Sequence, residues 1–108
     1  MRNAFLFIVL SGIWAGGASA AASDRGAADA GRALVELHCS ACHAVGAEGA
    51  SPIDAAPPFR SLHRRYPIEH LAEALGEGIA TGHPGMPEFK LEPEAIDDVL
   101  AYLRSLKP

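Results

Sequence analysis

The chain has 108 residues, two cysteines and a net charge of −4 at pH 7 with the histidines neutral. This length allows one small domain, whose hydrophobic core would be marginal on its own. The acidic balance argues against nucleic acid or an anionic membrane as the partner. Beyond the N-terminal stretch no apolar, β-branched run is long enough to predict strands, so we expect an all-α fold.

The N-terminal stretch 1–22 has the pattern of an export signal. An arginine stands at the second position, the segment Phe5–Leu10 is strongly apolar, and small residues follow without further charge. This pattern predicts a signal peptide that is cleaved after Ala20 or Ala22. The alternative is an uncleaved membrane anchor, because the uncharged stretch approaches spanning length. Either outcome places the rest of the chain outside the cytoplasm, and we expect a periplasmic location.

Cleavage leaves one domain over residues 23–108. It has 8 Lys and Arg against 13 Asp and Glu, a net charge of −5. After an irregular start over 23–28, the apolar pattern predicts a first helix from about Asp29 to Ala41. The apolar positions at helical spacing are Ala30, Ala33, Leu34, Leu37 and Ala41.

Gly31 interrupts this first helix. A glycine inside a helix costs about 1 kcal/mol relative to alanine, so its presence suggests that another backbone passes close by. The expected neighbour is the last helix, which begins with Pro93 at its first position and lacks a good N-cap residue at Glu92. That helix has an apolar stripe and an aromatic residue: Ile96, Val99, Leu100, Tyr102, Leu103 and Leu106.

The motif Cys39-Ser40-Ala41-Cys42-His43 places two thiols and an imidazole within one turn of backbone. Residues three apart in a helical turn share a face, so both thiols can bond to one edge of a porphyrin. The imidazole of His43 can then bind the iron. The spacing Cys-x-x-Cys-His is typical of covalent c-type haem attachment and predicts one haem c.

Two other uses of this cysteine pair have to be considered. A thioredoxin-like redox disulfide would need alternating strands and helices around the motif. A four-ligand zinc site would need a second pair of ligands, and His63, His70 and His83 are not closely spaced with one another. Both patterns fit the sequence less well than haem attachment does.

The segments between the motif and the last helix contain little regular structure. The stretch Val45–Pro58 is rich in Ala, Gly and Pro and is predicted to be irregular. Phe59–Tyr66 is predicted to hold a short helical turn. Pro67 then opens a helix with Ile68, Leu71, Leu75 and Ile79 on one side, and Gly76 and Gly78 near its end.

Met86 lies in the segment Thr81–Phe89, which two prolines and two glycines keep irregular. It is the only methionine after the first residue. A thioether is a soft ligand for haem iron, so Met86 is the predicted second axial ligand. His83 is the main competitor and would give a bis-histidine iron, and His63 and His70 are further alternatives.

Three arginines, Arg60, Arg64 and Arg65, cluster around His63. The ordinary interpretation of such a cluster is a solvated surface. The more specific hypothesis is that one or more of them binds a haem propionate, because the guanidinium fork suits carboxylates.

From Gly31 to Leu106 the chain resembles the small bacterial, mitochondrial-like monohaem cytochromes c. Gly31, Val35 and Cys39 match that family's glycine, aromatic residue and first haem cysteine, although valine replaces the aromatic residue. The other matching segments are Pro57-Pro58-Phe59 with Leu62, Met86-Pro87 with Phe89, and the closing helix over Val99–Leu103.

The resemblance implies a small cytochrome c fold, with three to four helices and loops wrapped around one covalently bound haem. It also implies that the carbonyl of Pro57 accepts a hydrogen bond from the nitrogen of His43 that does not bind iron. Pro58 is the alternative partner, because the proline is doubled.

The expected function follows from the iron having two protein ligands. With both axial positions filled, no site is open for a substrate, so we expect a periplasmic, monomeric single-electron carrier rather than an enzyme. Its partners would be redox proteins with basic docking surfaces. The first alternative is a haem c subunit dedicated to one periplasmic dehydrogenase or oxidase. The second is a peroxidase or a sensor of small ligands, in which Met86 leaves the iron.

Overall fold

The structure is a computed structural model that describes residues 12, 18–78, 85–87 and 90–108, with only the helical backbone given for residues 18–22. Three α-helices lie in this part of the chain: α1 (Ala18–His38), α2 (Leu71–Glu77) and α3 (Pro93–Ser105). Two short 3₁₀ helices, Phe59–Arg64 and Ile68–His70, precede α2. The described residues contain no strand, so the all-α prediction holds for them.

Helix α1 begins earlier and ends sooner than the sequence predicts. The stretch 23–28, expected to be irregular, is helical, and the helix ends at His38 instead of Ala41. The residues from Ala18 to Ala30 are rich in alanine, the residue with the highest helix propensity, and this explains the early start. After His38 the backbone continues as a turn.

The buried face of α1 also differs from the predicted one. Gly31 and Val35 are buried, whereas Leu37 is 76% exposed. Ala30, Ala33 and Ala41 are exposed as well. Of the predicted apolar positions only Leu34 is half-buried and packs against the core. The apolar periodicity therefore identified one edge of the buried face and missed its centre, because the residue that decides the orientation of α1 is a glycine and contributes nothing to an apolar pattern.

At Gly31 the backbones of α1 and α3 touch, as the glycine predicted. A Cβ atom at this position would lie 1.9 Å from the carbonyl oxygen of Asp98 and 2.9 Å from the amide nitrogen of Val99. No real Cβ atom can approach a backbone that closely, so only glycine permits this crossing. Four residues later Val35, at the position where the resemblance led us to expect an aromatic residue, is only 2% exposed.

Helix α3 supplies most of the core. It begins with Pro93 at its first position and has no side-chain cap at Glu92, as expected. Five of its side chains are buried: Ile96, Val99, Leu100, Tyr102 and Leu103. Leu106, the last residue of the predicted stripe, is half-buried and packs against the same cluster.

The middle of the chain follows the predictions in outline. Residues 44–58, called here the 44–58 loop, contain no helix or strand, and the predicted turn after them is the 3₁₀ helix Phe59–Arg64. Pro67 opens the predicted helix, whose first turn is the 3₁₀ helix Ile68–His70 and which continues directly into α2. In this region Ile68 and Leu75 are buried, and Ile79 lies outside the described residues.

The return from the Met86 segment is fixed against α2. The amide of Leu91 donates a hydrogen bond to the carbonyl of Leu75 at 2.9 Å. Helix α2 ends at Glu77, and the next residue, Gly78, has a φ of 99° in the left-handed region that favours glycine. These contacts place the chain before α3 beside the core.

Candidate functional site

The two cysteines and His43 lie on one helix-like turn that continues α1. The amide of Cys39 donates to the carbonyl of Val35 at 2.9 Å, and the amide of His43 donates to the carbonyl of Cys39 at 3.0 Å. Both bonds join residues four apart, as in an α-helix. The hydrogen-bonded turn therefore carries both cysteines and His43 directly after the end of α1.

Both cysteines are free thiols and half-buried. Burial raises the pKa of the Cys39 thiol to about 11, and the neighbouring Cys42 adds to this as the smaller cause. Within the described ranges no three His, Cys, Asp or Glu side chains group closely enough to hold a metal ion. The described residues therefore do not supply the second pair of ligands that a four-ligand zinc site would need.

The ring of His43 is held by the residues around position 57. Its Nδ1 atom lies 2.8 Å from the carbonyl oxygen of Pro57, the contact that the resemblance implied, and Pro57 is used rather than Pro58. A carbonyl oxygen can only accept, so Nδ1 carries the proton. The Nε2 atom of the neutral ring then keeps a lone pair, which is what a metal ligand needs.

Phe59 packs against the same ring. The centroids of the Phe59 and His43 rings are 5.0 Å apart and their planes are inclined by 46°. The amide of Phe59 also donates to the carbonyl of Ala44 at 2.9 Å, which closes the 44–58 loop at its base. The imidazole is therefore restrained at one nitrogen by Pro57 and against a ring by Phe59.

The 44–58 loop is held by hydrogen bonds to its backbone. The amide of Ala44 donates to Oγ of Ser51 at 3.0 Å. The amide of Ile53 donates to the carbonyl of Cys42 at 3.2 Å. From outside the loop, the hydroxyl of Tyr102 in α3 donates to the carbonyl of Val45 at 2.5 Å. These bonds fix the chain on both sides of His43.

The three arginines predicted as possible propionate ligands differ in exposure and in hydrogen bonding. Arg60 is half-buried and donates through Nη1 to the carbonyl of Gly49 at 2.7 Å, so it too restrains the 44–58 loop. Arg64 and Arg65 are exposed. The hypothesis that any of the three binds a propionate stays a prediction.

The other predicted ligand lies in a short described segment. Residues 85–87 are irregular, Gly85 has a φ of 89°, and Met86 is half-buried. His83 and Phe89 lie outside the described residues. Of the remaining alternatives, His63 is half-buried and His70 is exposed. The choice of Met86 as the second ligand therefore stays a prediction.

Four side chains that hold this region were not assigned those contacts from the sequence: Phe59, Ser51, Arg60 and Tyr102. Tyr102 was detectable in principle, because it lies on the apolar stripe of α3 and a buried tyrosine hydroxyl usually finds a hydrogen-bond partner. The partner, Val45, is 57 positions away and gives no local signal. The contacts of Ser51 and Phe59 depend on the course of an irregular loop, which no periodicity predicts.

Comparison with known proteins identifies one family, both by a family model and by two named relatives. The family model described as "Cytochrome c" matches residues 28–107. The chain is 30% identical over 82 residues to a protein named cytochrome c-553-like from Synechocystis sp., and the match covers 76% of this chain and 71% of that protein. It is 36% identical over 84 residues to cytochrome c-552 from Bradyrhizobium diazoefficiens, with 76% and 79% covered. No solved structure matches the chain.

Proposed function

The chain belongs to the cytochrome c family, and on that premise we propose that it is a periplasmic single-electron carrier with iron held between His43 and Met86. Membership of the family means an all-α, small cytochrome c fold with one covalently bound haem c, and a function in electron transfer by that haem. The bound group supplies a reversible one-electron couple at iron.

The residues present fit such a group. Cys39 and Cys42 are free thiols at the required spacing and would form the two thioether bonds. The hydrogen bond from Nδ1 of His43 to the carbonyl of Pro57 is the observation that carries the proposal, because it leaves Nε2 available and fixes the ring. Phe59, which also packs against the hydrophobic core, adds apolar surface beside the imidazole.

The position of Met86 supports the proposal that it is the second ligand of the iron. It lies between Gly85 and Pro87 in a segment whose return is bonded to α2 through Leu91. A Met86 thioether and a His43 imidazole bound to the same iron would raise its reduction potential and would leave no coordination position for a substrate. The iron would then exchange only an electron, so we propose a carrier and not an enzyme.

The location and partners are part of the same proposal. The N-terminal stretch has the features of an export signal, and covalent attachment of haem c fits a periplasmic domain. Among the described helices, none is long and apolar enough to cross a membrane. The net charge of −5 after cleavage favours partner proteins with basic docking surfaces and disfavours nucleic acid. We propose that the domain is a monomer when free.

Spectroscopy of the purified holoprotein tests the ligand pair. The ferric form should show the far-red charge-transfer band of sulfur bound to iron, and the ferrous form should not bind carbon monoxide rapidly at neutral pH. Met86→Ala should abolish the band, lower the reduction potential and allow carbon monoxide to bind. The matched control is His83→Ala in the same segment, which should keep the band.

Other results would change the assignment. If His83→Ala changes the axial spectrum and Met86→Ala does not, the second ligand is His83. Rapid carbon monoxide binding by the unmodified protein would favour a sensor or a peroxidase. Full haem attachment in both Cys39→Ala and Cys42→Ala would contradict the assignment of the two thioether bonds.

A further inference from the structure

Tyr102 makes a long-range contact that core packing alone does not require. Its side chain lies in α3 and is only 7% exposed, yet its hydroxyl reaches the carbonyl of Val45, two residues after His43. A tyrosine hydroxyl is protonated at neutral pH and can act as the donor, and burial raises the pKa of Tyr102 further. A phenylalanine would fill the same apolar space without making this bond.

The backbone around His43 is restrained from several directions. The amide of His43 bonds back to Cys39 at the end of α1, and both polar groups of Ala44 are bonded, the amide to Ser51 and the carbonyl to Phe59. The bond to Val45 comes from α3. It therefore ties the start of the 44–58 loop to the helix that also meets α1 at Gly31.

We propose that Tyr102 is a positioning residue for the axial imidazole, acting through the main chain of Val45. The inference rests on the proposed function, in which His43 binds the iron. Because Nδ1 of His43 is fixed to Pro57 at the far end of the loop, the orientation of the ring depends on the relative positions of residues 43 and 57. Loosening the loop at Val45 changes that relation and turns the imidazole plane with respect to the iron.

The test compares two hydroxyl deletions on α3 in the holoprotein. Tyr102→Phe removes the bond to Val45, and Ser105→Ala, the matched control, removes a hydroxyl that donates to the carbonyl of Tyr102 within the same helix. Both changes delete one hydroxyl–carbonyl bond. They differ in whether the lost bond reaches the loop that carries His43.

Tyr102→Phe should speed amide hydrogen exchange at residues 43–46 by about five- to tenfold, the range expected for the loss of one net hydrogen bond. It should also shift the ring-proton resonances of His43 in the ferric protein and alter the electron paramagnetic resonance of the iron. Ser105→Ala should leave all three unchanged. If both variants lose thermal stability alike and neither changes the His43 signals, Tyr102 has only a structural role and the inference is wrong.

A measurement on the unmodified protein distinguishes failure of the positioning role of Tyr102 from failure of the proposed function. When histidine is labelled with ¹⁵N, the ferric holoprotein should show coupling of a His43 ring nitrogen to the iron. Its absence overturns ligation by His43, and the positioning role with it. Its presence, together with unchanged signals in Tyr102→Phe, overturns the positioning role alone.

Discussion

Helix α1 and the 44–58 loop both contact α3, but the two contacts are of different kinds. We call the contact between α1 and α3 the junction. At the junction, buried side chains and a direct backbone contact at Gly31 leave almost no free space. In the 44–58 loop no side chain is fully buried, and the chain is fixed through hydrogen bonds to its amides and carbonyls. Packing therefore positions the helices, and polar contacts position the imidazole of His43.

Because of this difference, we expect substitutions in the two regions to affect the stability of the protein and the surroundings of His43 to different degrees. Overpacking or cavities at the junction act on the whole domain, because a close-packed interior relaxes only partly. Loss of one hydrogen bond in the loop has a smaller effect on global stability, but it acts within a few residues of the axial ligand. The substitutions below compare the two regions in the holoprotein, from the largest expected effect to the smallest.

Gly31→Ala should destabilise the protein most, by about 3 kcal/mol or more, because the new methyl group would overlap the carbonyl of Asp98 in α3. Denaturant unfolding followed by circular dichroism measures the effect. The control is Gly26→Ala on the same helix, where a Cβ atom meets nothing within 4 Å. That change should stabilise the protein by about 0.5–1 kcal/mol. Equal effects of the two substitutions would contradict the helix crossing at Gly31.

Val35→Ala should cost about 2 kcal/mol, since it removes two methyl groups from a side chain that is 2% exposed. Leu37→Ala removes a larger side chain from the same helix, but Leu37 is 76% exposed and the expected change is within about 0.5 kcal/mol. Thermal unfolding of the two variants ranks them directly. A larger loss from Leu37→Ala would mean that the face predicted from the apolar pattern is the buried one.

This contrast shows what the sequence could and could not predict. The helices, the attachment motif and the approach of a second backbone at Gly31 follow from local patterns, because propensity, spacing and the cost of a helical glycine are local quantities. The orientation of α1 does not, since alanines give nearly the same apolar signal on several faces. The packing partner α3 selects the face with Gly31 and Val35.

In the candidate site, too, some features could be predicted from the sequence and others could not. The Cys39–His43 motif is contiguous and was recognisable, and the contact with Pro57 was available only through the resemblance to a family. Tyr102 and Val45 lie 57 positions apart, so their bond depends on how α3 folds back over the loop. Irregular loops are specified by such contacts, which no single-sequence periodicity contains.

Ser51→Ala should have the smallest effect on stability, about 1 kcal/mol, because it removes the acceptor of the Ala44 amide without opening a cavity in the core. The control is Ser61→Ala, whose hydroxyl bonds to the Pro58 carbonyl, an oxygen that also accepts the Ser61 amide. Amide hydrogen exchange distinguishes the two, because exchange at Ala44 should accelerate in Ser51→Ala alone. Unchanged exchange at Ala44 would mean that Phe59 and Tyr102 hold the start of the loop without Ser51, and would leave the axial imidazole dependent on fewer contacts.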